Sequence, residues 1–418
     1  MPDLDSEPPI TDFPVAARET APGFGRCQAR LRPRRARPFF GRHPWVLDSA
    51  IASYDGEPVD GDVVELVADN GKFVARGIYN SQSRIRLRLY TWDAPQALDE
   101  KFFRRQIDVA IEARRALGYD QPRGACRLVF SEADGLSGLI VDRYADWLSV
   151  QVTSLAMGAR LPMLVEQLVD ALRPRGVMLR TEKGIAKIEG LELRDSLLWG
   201  EAPEGPVFIE ENGLRYGVDL AEGQKTGFYL DQRENRRVAA EYLRGRRVLD
   251  LFCYSGGFSL NAAVHGHASE VLGVDSSPKA IALARANAEL NRAKHVRFEA
   301  GDCFEALESL AGAERFGGVV VDPPKFVRNR QRVDDALRAY HRLNRLAVEA
   351  LAPGGVLVTC SCSGAVTRED FLLMLVGVAQ QTRRPLQILE MRSASPDHPI
   401  AATCLESEYL KCFICRVG

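Results

Sequence analysis

The chain of 418 residues carries almost no net charge, with 55 Lys and Arg against 56 Asp and Glu. Overall charge balance therefore says nothing about a polyanionic partner. No apolar run reaches the ~20 residues that a bilayer-spanning helix needs, so no membrane partner is expected. The acidic start, with Asp3, Asp5, Glu7, Asp12 and Glu19 against Arg18, is unlike a signal peptide. Nine cysteines, odd in number and irregular in spacing, do not make a disulfide framework. A cytoplasmic protein is the expectation. Cys412 and Cys415 form a CxxC, but no second pair or His pair stands at zinc spacing. They read as strand residues, and no metal is expected. Internal repeats are missing. So is the G-x-G-x-x-G fingerprint, which disfavours a nicotinamide-dependent dehydrogenase.

What is present is an ordinary globular composition, 46% hydrophobic, at a length that suggests two or three domains. Residues 1–26 read as a disordered extension, rich in Pro and acid. Residues 27–98 read as a small β domain. "DGDVVELVADNGKFVARGIYN" alternates around a turn at Asp69, Asn70 and Gly71. "SRIRLRLYTW" sets Ile85, Leu87 and Leu89 on one face and Arg84, Arg86 and Arg88 on the other. Seven arginines and no acid lie between Arg26 and Arg42, beside Phe39, Phe40, His43 and Trp45. Such arginines can simply keep a sheet edge soluble. With aromatic neighbours, they are expected to track phosphates while the rings stack on bases.

Residues 99–206 read as an α+β module, opening with a helix over about 99–117. From residue 207 the style changes. "FIEENGLRYGVDL" reads as a strand, followed by a loop and a helix. Short buried strands then alternate with helices, which implies an α/β fold with a doubly wound parallel sheet.

"VLDLFCYSGGFSL" is a strand running into a glycine turn and a helix. Asp250, Phe252, Ser255, Gly256 and Gly257 line this turn. Glycines there let backbone approach a ligand closely. Asp275 ends the next strand, where it can accept from ribose hydroxyls or merely cap the following helix. Asp302 ends the third strand, placed to meet an adenine amino group. Asp250 would repel a diphosphate but suits an ammonium group. S-adenosylmethionine (SAM) has such a group and no phosphate, and is the expected cofactor.

"VVVDPPKF" ends the fourth strand and holds Asp322 in a proline-stiffened exit. "LVTCSCSG" ends the fifth. Cys360 and Cys362 share a face by alternation, and Cys362 is nearer the open end. A thiolate that adds to carbon 6 of a pyrimidine makes carbon 5 nucleophilic toward a methyl donor. Cys362 is the expected nucleophile and Asp322 the group that holds the ring, with Lys325 or a nearby Arg lowering the thiol pKa. Simple core packing is the alternative for either cysteine.

"GQKTGFYLDQRENR", "LDLFCYSGGFSL", "VDPPKF", "TCSCSG" and "ESEYLK" together resemble the RlmI-like family of large-subunit ribosomal RNA cytosine-5 methyltransferases. The likeness spans about residues 27–418. It implies an RNA-binding PUA-like domain over 27–98, the α+β middle domain over 99–206, and a Rossmann-like class I methyltransferase domain over 207–418. It also implies ribosomal RNA as partner, often a homodimer, Cys362 as nucleophile with Asp322 beside it, and a SAM site that Asp322 also lines. No second Cys stands in the DPP-type motif, so the likeness does not extend to a two-cysteine release. The alternatives are methylation of another RNA base, guanine or uracil, and a non-catalytic RNA-binding assembly factor.

Overall fold

A computed structural model describes residues 24–25, 27–181, 184–220, 227–310, 316–326 and 332–418. Almost all of the expected 1–26 extension, including Arg26, lies outside the described residues. The chain forms two compact units. The first runs to Ile209 and adds Val218–Phe228 and Asp397–Ser407; the second takes Glu210–Gly217, Tyr229–Pro396 and Glu408–Gly418.

The first unit holds two sheets. One has six strands in the order Trp45–Leu47, Ile85–Thr91, Phe73–Tyr79, Val63–Val67, Cys27–Leu31, Ile51–Asp55. The other has five, in the order Ser196–Gly200, Gly176–Arg180, Trp147–Val152, Leu139–Tyr144, Ala125–Phe130. Helix Glu100–Ala116 starts where Asp99 accepts the Phe102 N–H at 2.9 Å, and buries Phe102, Phe103, Ile107, Ala110 and Ile111 at helical spacing.

Buried charged contacts join the two sheets of this unit on either side of residue 98. Arg88, from the first sheet, is buried between Glu132 (3.3 Å) and Glu189 (3.1 Å). Asn80 and Ser83 also donate to Glu189. Likewise Asp397, distant in sequence, accepts from the Arg127 N–H, and its carbonyl accepts from Arg114. A buried charge left without its partner costs several kcal/mol, so these contacts tie the unit together.

"FIEENGLRYGVDL" is not one strand but a two-stranded hairpin, Val207–Glu211 with Leu214–Val218. Asn212 and Gly213 make the turn, both at positive φ (54° and 74°), the backbone that a tight hairpin demands.

The second unit is built on seven strands: β1 (Arg247–Leu251), β2 (Glu270–Asp275), β3 (Val296–Ala300), β4 (Phe316–Val321), β5 (Leu351–Ser361), β6 (Leu386–Arg392) and β7 (Lys411–Val417). Their order is 3-2-1-4-5-7-6. β1 to β5 run parallel, and β7 lies antiparallel between β5 and β6. The helices are α1 (Arg233–Tyr242), α2 (Gly257–Val264), α3 (Pro278–Leu290), α4 (Cys303–Leu310), α5 (Val333–Ala350) and α6 (Arg368–Thr382). Apolar side chains cover both faces, as a parallel sheet requires. Leu249, Val319, Val321 and Leu357 pack with α4, α5 and α6; Val248, Val320, Val358 and Cys360 pack with α1 and α2. Cys412 and Cys415, three apart on β7, fall on opposite faces and are buried in these two cores. Strand order reverses between β1 and β4, and it is beyond the carboxyl ends at such a reversal that sheets of this kind bind ligands.

Candidate active site

The loop after β1 is bent by left-handed residues. Phe252 (59°), Tyr254 (48°) and Gly256 (82°) all have positive φ. Two side chains hold the loop there. The Tyr254 N–H donates to Asp275 Oδ2 at 3.0 Å, and the Phe252 N–H points at Cys303 Sγ at 3.3 Å. The glycines are required by close packing: a Cβ on Gly256 would meet the Phe298 ring at 2.9 Å, and one on Gly257 would meet Arg236 at 2.5 Å. Ser255 is buried, and its carbonyl accepts from Asn287 at 3.1 Å.

Each expected acid sits at the carboxyl end of its strand, but with duties the sequence did not show. Asp250 is buried, and its Oδ2 accepts from the Ser259 N–H (2.9 Å) and Oγ–H (2.6 Å), which fixes the first turn of α2. Its Oδ1 is buried, with no hydrogen-bond partner among the described residues. Asp275 is half-buried; besides Tyr254 it accepts from the Ser277 N–H at 2.9 Å. The helix cap itself is Ser277, which accepts from Ala280, so Asp275 is not the cap. Asp302 is exposed and caps the start of α4 through the Phe304 and Glu305 N–H groups.

Asp322 follows β4 and is half-buried. Cys362 follows β5, also half-buried, and its thiol lies 3.9 Å from the Pro323 carbonyl oxygen. The fold thus sets the thiol against the DPP turn, although 39 residues separate the two. The rival cysteine is disposed differently. Cys360 is fully buried beside Cys412, and burial pushes its thiol well above the ordinary range. A thiol held neutral in the core is a poor nucleophile. Lys325 is exposed.

A family model for S-adenosylmethionine-dependent methyltransferases matches residues 195–407, and one for a PUA-like domain matches 29–92. The Ribosomal RNA large subunit methyltransferase I of Aeromonas hydrophila is 42% identical over 381 residues, which is 90% of this chain and 95% of its own. That of Shewanella denitrificans is 38% identical over 392 residues, covering 93% and 98%. The chain belongs to this family of SAM-dependent methyltransferases. Among solved structures, a Streptococcus mutans protein described as a SAM-dependent methyltransferase superposes with TM-score 0.79 at 20% identity, covering 93% of this chain and 99% of that one. A methyltransferase complexed with S-adenosylhomocysteine gives 0.79 at 21%, with the same coverage. At such identity these two show the fold.

The candidate site of this methyltransferase is underlain by buried polar residues that motif reading missed. In "YLDQRENRR", Asp231, Gln232, Arg233, Asn235 and Arg236 are all buried. Arg236 donates to Glu211 (2.7 Å) and to the Tyr229 carbonyl (2.8 Å), directly beneath Gly257. Tyr409 donates to Asp231 at 2.6 Å. The signal was available: five polar residues clustered in six positions at the start of an amphipathic helix. Tyr229 and Tyr254 stack edge to face, centroids 5.2 Å apart.

The arginine-rich segment is less uniform than alternation implied. Arg32, Arg34, Arg35, Arg37 and Arg42 are exposed, while Arg30 is half-buried and donates to the Asp69 carbonyl. Arg84 is exposed, Arg86 half-buried and Arg88 buried, so the strand does not present a solvated basic face along its whole length. Of the aromatics expected to stack, Phe40 is exposed at 49%, with Lys72 over its ring. Phe39 is buried and Trp45 donates its indole N–H to Glu132. His43, Cys404 and Glu406 could together hold a metal by proximity. The Trp45 N–H, however, donates to His43 Nδ1, which leaves the neutral ring's proton on Nε2, aimed at Glu406 3.4 Å away. The trio reads as a hydrogen-bonded chain rather than a ligand set.

Burial pushes the Asp250 carboxyl up to about 7, against the opposing Ser259 hydrogen bonds. An acid raised on folding stabilises most below its unfolded pKa, and that stability is lost as pH rises toward the folded value. Cofactor-free protein should therefore lose on the order of 2–4 kcal/mol of stability between about pH 4 and 7 through this one group. Asp250→Asn should flatten that portion of the profile, measured by denaturant titration at each pH. An unchanged slope would show that Asp250 does not titrate in this way.

Proposed function

We propose that this enzyme methylates carbon 5 of a cytosine in large-subunit ribosomal RNA, through a covalent adduct of Cys362 to carbon 6 of the ring. The observation that carries the reading is the meeting of Cys362 with the DPP turn at the end of the sheet that also presents Asp250, Asp275 and Asp302. The relatives' name supports ribosomal RNA as the substrate.

The residues fit SAM. Asp250 offers a buried oxygen that has no partner among the described residues, suited to an ammonium donor, and Asp275 offers a half-buried carboxylate to ribose hydroxyls. Exposed Asp302 would take the adenine amino group, while Phe252, Ser255, Gly256 and Gly257 shape the loop and half-buried Asp322 stands at the end of β4. When bound, SAM supplies an electrophilic methyl group. Cys362 adds to carbon 6 and shifts electron density to carbon 5, while Asp322 holds N3 or the exocyclic amine. Loss of the carbon-5 proton then expels the thiolate. The exposed arginines from Arg32 to Arg42 hold the RNA backbone, with Phe40 placed to stack.

Labelling ribosomal RNA from cells lacking the protein with purified enzyme and methyl-tritiated SAM tests the assignment. The expected product after digestion is labelled 5-methylcytidine. Labelled methylguanosine or 5-methyluridine would replace the cytosine reading, and RNA binding without label would favour an assembly factor.

A further inference from the structure

Lys411 opens β7, opposite Ser361 of β5, and is 2% exposed. Its ammonium donates all three of its hydrogens to main-chain carbonyls: Ser363 (2.6 Å), Val366 (2.7 Å) and Tyr409 (2.8 Å). Two of these carbonyls belong to the turn that directly follows Cys362. A buried cation answered only by carbonyls keeps much of its field.

Its charge is influenced by Cys362, Glu408, Arg368 and Asp370. Glu408 is paired with Arg368 at 2.6 Å. Asp370 is committed to the Thr367 N–H and hydroxyl at the cap of α6. The lysine is thus held by the main chain of the very turn that carries Cys362. Tyr229 and Tyr340 are each influenced by both the Cys362 thiol and Asp322, and a carboxylate in that neighbourhood opposes ionisation of the thiol.

We propose that Lys411 is a positioning residue that clamps the Cys362 turn and, by its fixed positive charge, keeps Cys362 as a thiolate at neutral pH. This rests on Cys362 being the nucleophile. The thiol proton leaves to solvent before RNA binds, and addition to carbon 6 then needs no further base. Burial lowers the Lys411 ammonium to about 8, with Cys362 as the largest opposing influence, so the charge is present at neutral pH.

The test follows alkylation of Cys362 in the full-length protein by iodoacetamide across pH, read residue by residue by peptide mass spectrometry. The wild-type midpoint should lie below the ~8.5 of an ordinary thiol. Lys411→Met should slow Cys362 alkylation and methylation about tenfold near pH 7, with both recovering toward wild type near pH 9, where an unassisted thiol ionises by itself. Lys411→Arg should keep most of the wild-type profile. SAM affinity, unchanged in all three, reports an intact fold. A merely structural lysine would give losses that pH does not restore. Wild-type Cys362 titrating at or above an ordinary thiol's midpoint overturns the proposal without any variant, and so does a Lys411→Met profile equal to wild type. If Cys362→Ala still methylates, it is the nucleophile reading that fails instead.

Discussion

Cys362→Ala is expected to reduce methylation by at least about a thousandfold, because a covalent step cannot be replaced by positioning alone. RNA carrying 5-fluorocytidine at the target should be trapped by the native enzyme, since fluorine at carbon 5 cannot leave as a proton does. The adduct should survive denaturing electrophoresis, require SAM to accumulate fully, and vanish in Cys362→Ala. Calorimetric SAM affinity should stay near wild type, because none of the acids at the strand ends is touched. Cys360→Ala provides the contrast. Its thiol is buried beside Cys412. Removing it should cost about 1–2 kcal/mol through a small cavity, yet leave both adduct and turnover. If Cys360→Ala loses the adduct and Cys362→Ala keeps it, the chemistry stands with the other thiol. Carbon-5 methylation by Cys362→Ala at near wild-type rate would remove the mechanism altogether.

Replacing the exposed Arg34, Arg35 and Arg37 together with Gln is expected to weaken RNA binding about tenfold or more at moderate salt. The slope of log affinity against log salt should fall by about 0.7–0.9 for each phosphate that is no longer neutralised. SAM affinity and thermal stability should hold, since all three side chains face solvent. Arg88→Gln should behave in the opposite way. It leaves Glu132 and Glu189 without their buried partner. A loss of about 3–5 kcal/mol in stability is expected, with the salt slope unchanged in whatever remains folded. A triple Gln variant that binds RNA with the native salt slope would place the RNA surface elsewhere. Point substitutions are the sharper tool here, because Arg88 and Asn80 root the first sheet in the rest of its unit, and excising that sheet would expose their partners.

Local pattern carried β1 to β5 of the second unit, but not the edge strand β6 nor the antiparallel run of β7 between β5 and β6. Short runs of Val and Leu between helical stretches imply parallel strands, and the acids Asp250, Asp275 and Asp302 do fall at their carboxyl ends. The order expected of the two thiols is what the fold has: Cys362 stands past the end of its strand, while Cys360 stands within it and is buried. Alternation failed where burial depends on a distant partner. Arg88 obeys the same period as Arg84 but is buried against Glu132 and Glu189, which lie 44 and 101 residues away. Trp45, expected to stack on a base, is likewise turned to Glu132. The hairpin at Asn212 and Gly213 is written in that dipeptide, but the apolar pattern on either side of it runs on as though through one strand.

By itself, then, the sequence determined which residues could do chemistry and at which end of the sheet they would gather, because strand direction and side-chain period are local properties of the chain. Which of them meet was decided only by tertiary structure. The thiol of Cys362 reaches the Pro323 carbonyl through the pairing of β4 with β5. Lys411 reaches the turn after Cys362 because β7 runs back antiparallel along β5. Arg236 comes to lie under Gly257 because Glu211 is buried beside it. Each is a contact between segments far apart in sequence, and no local period encodes the partner of a buried charge.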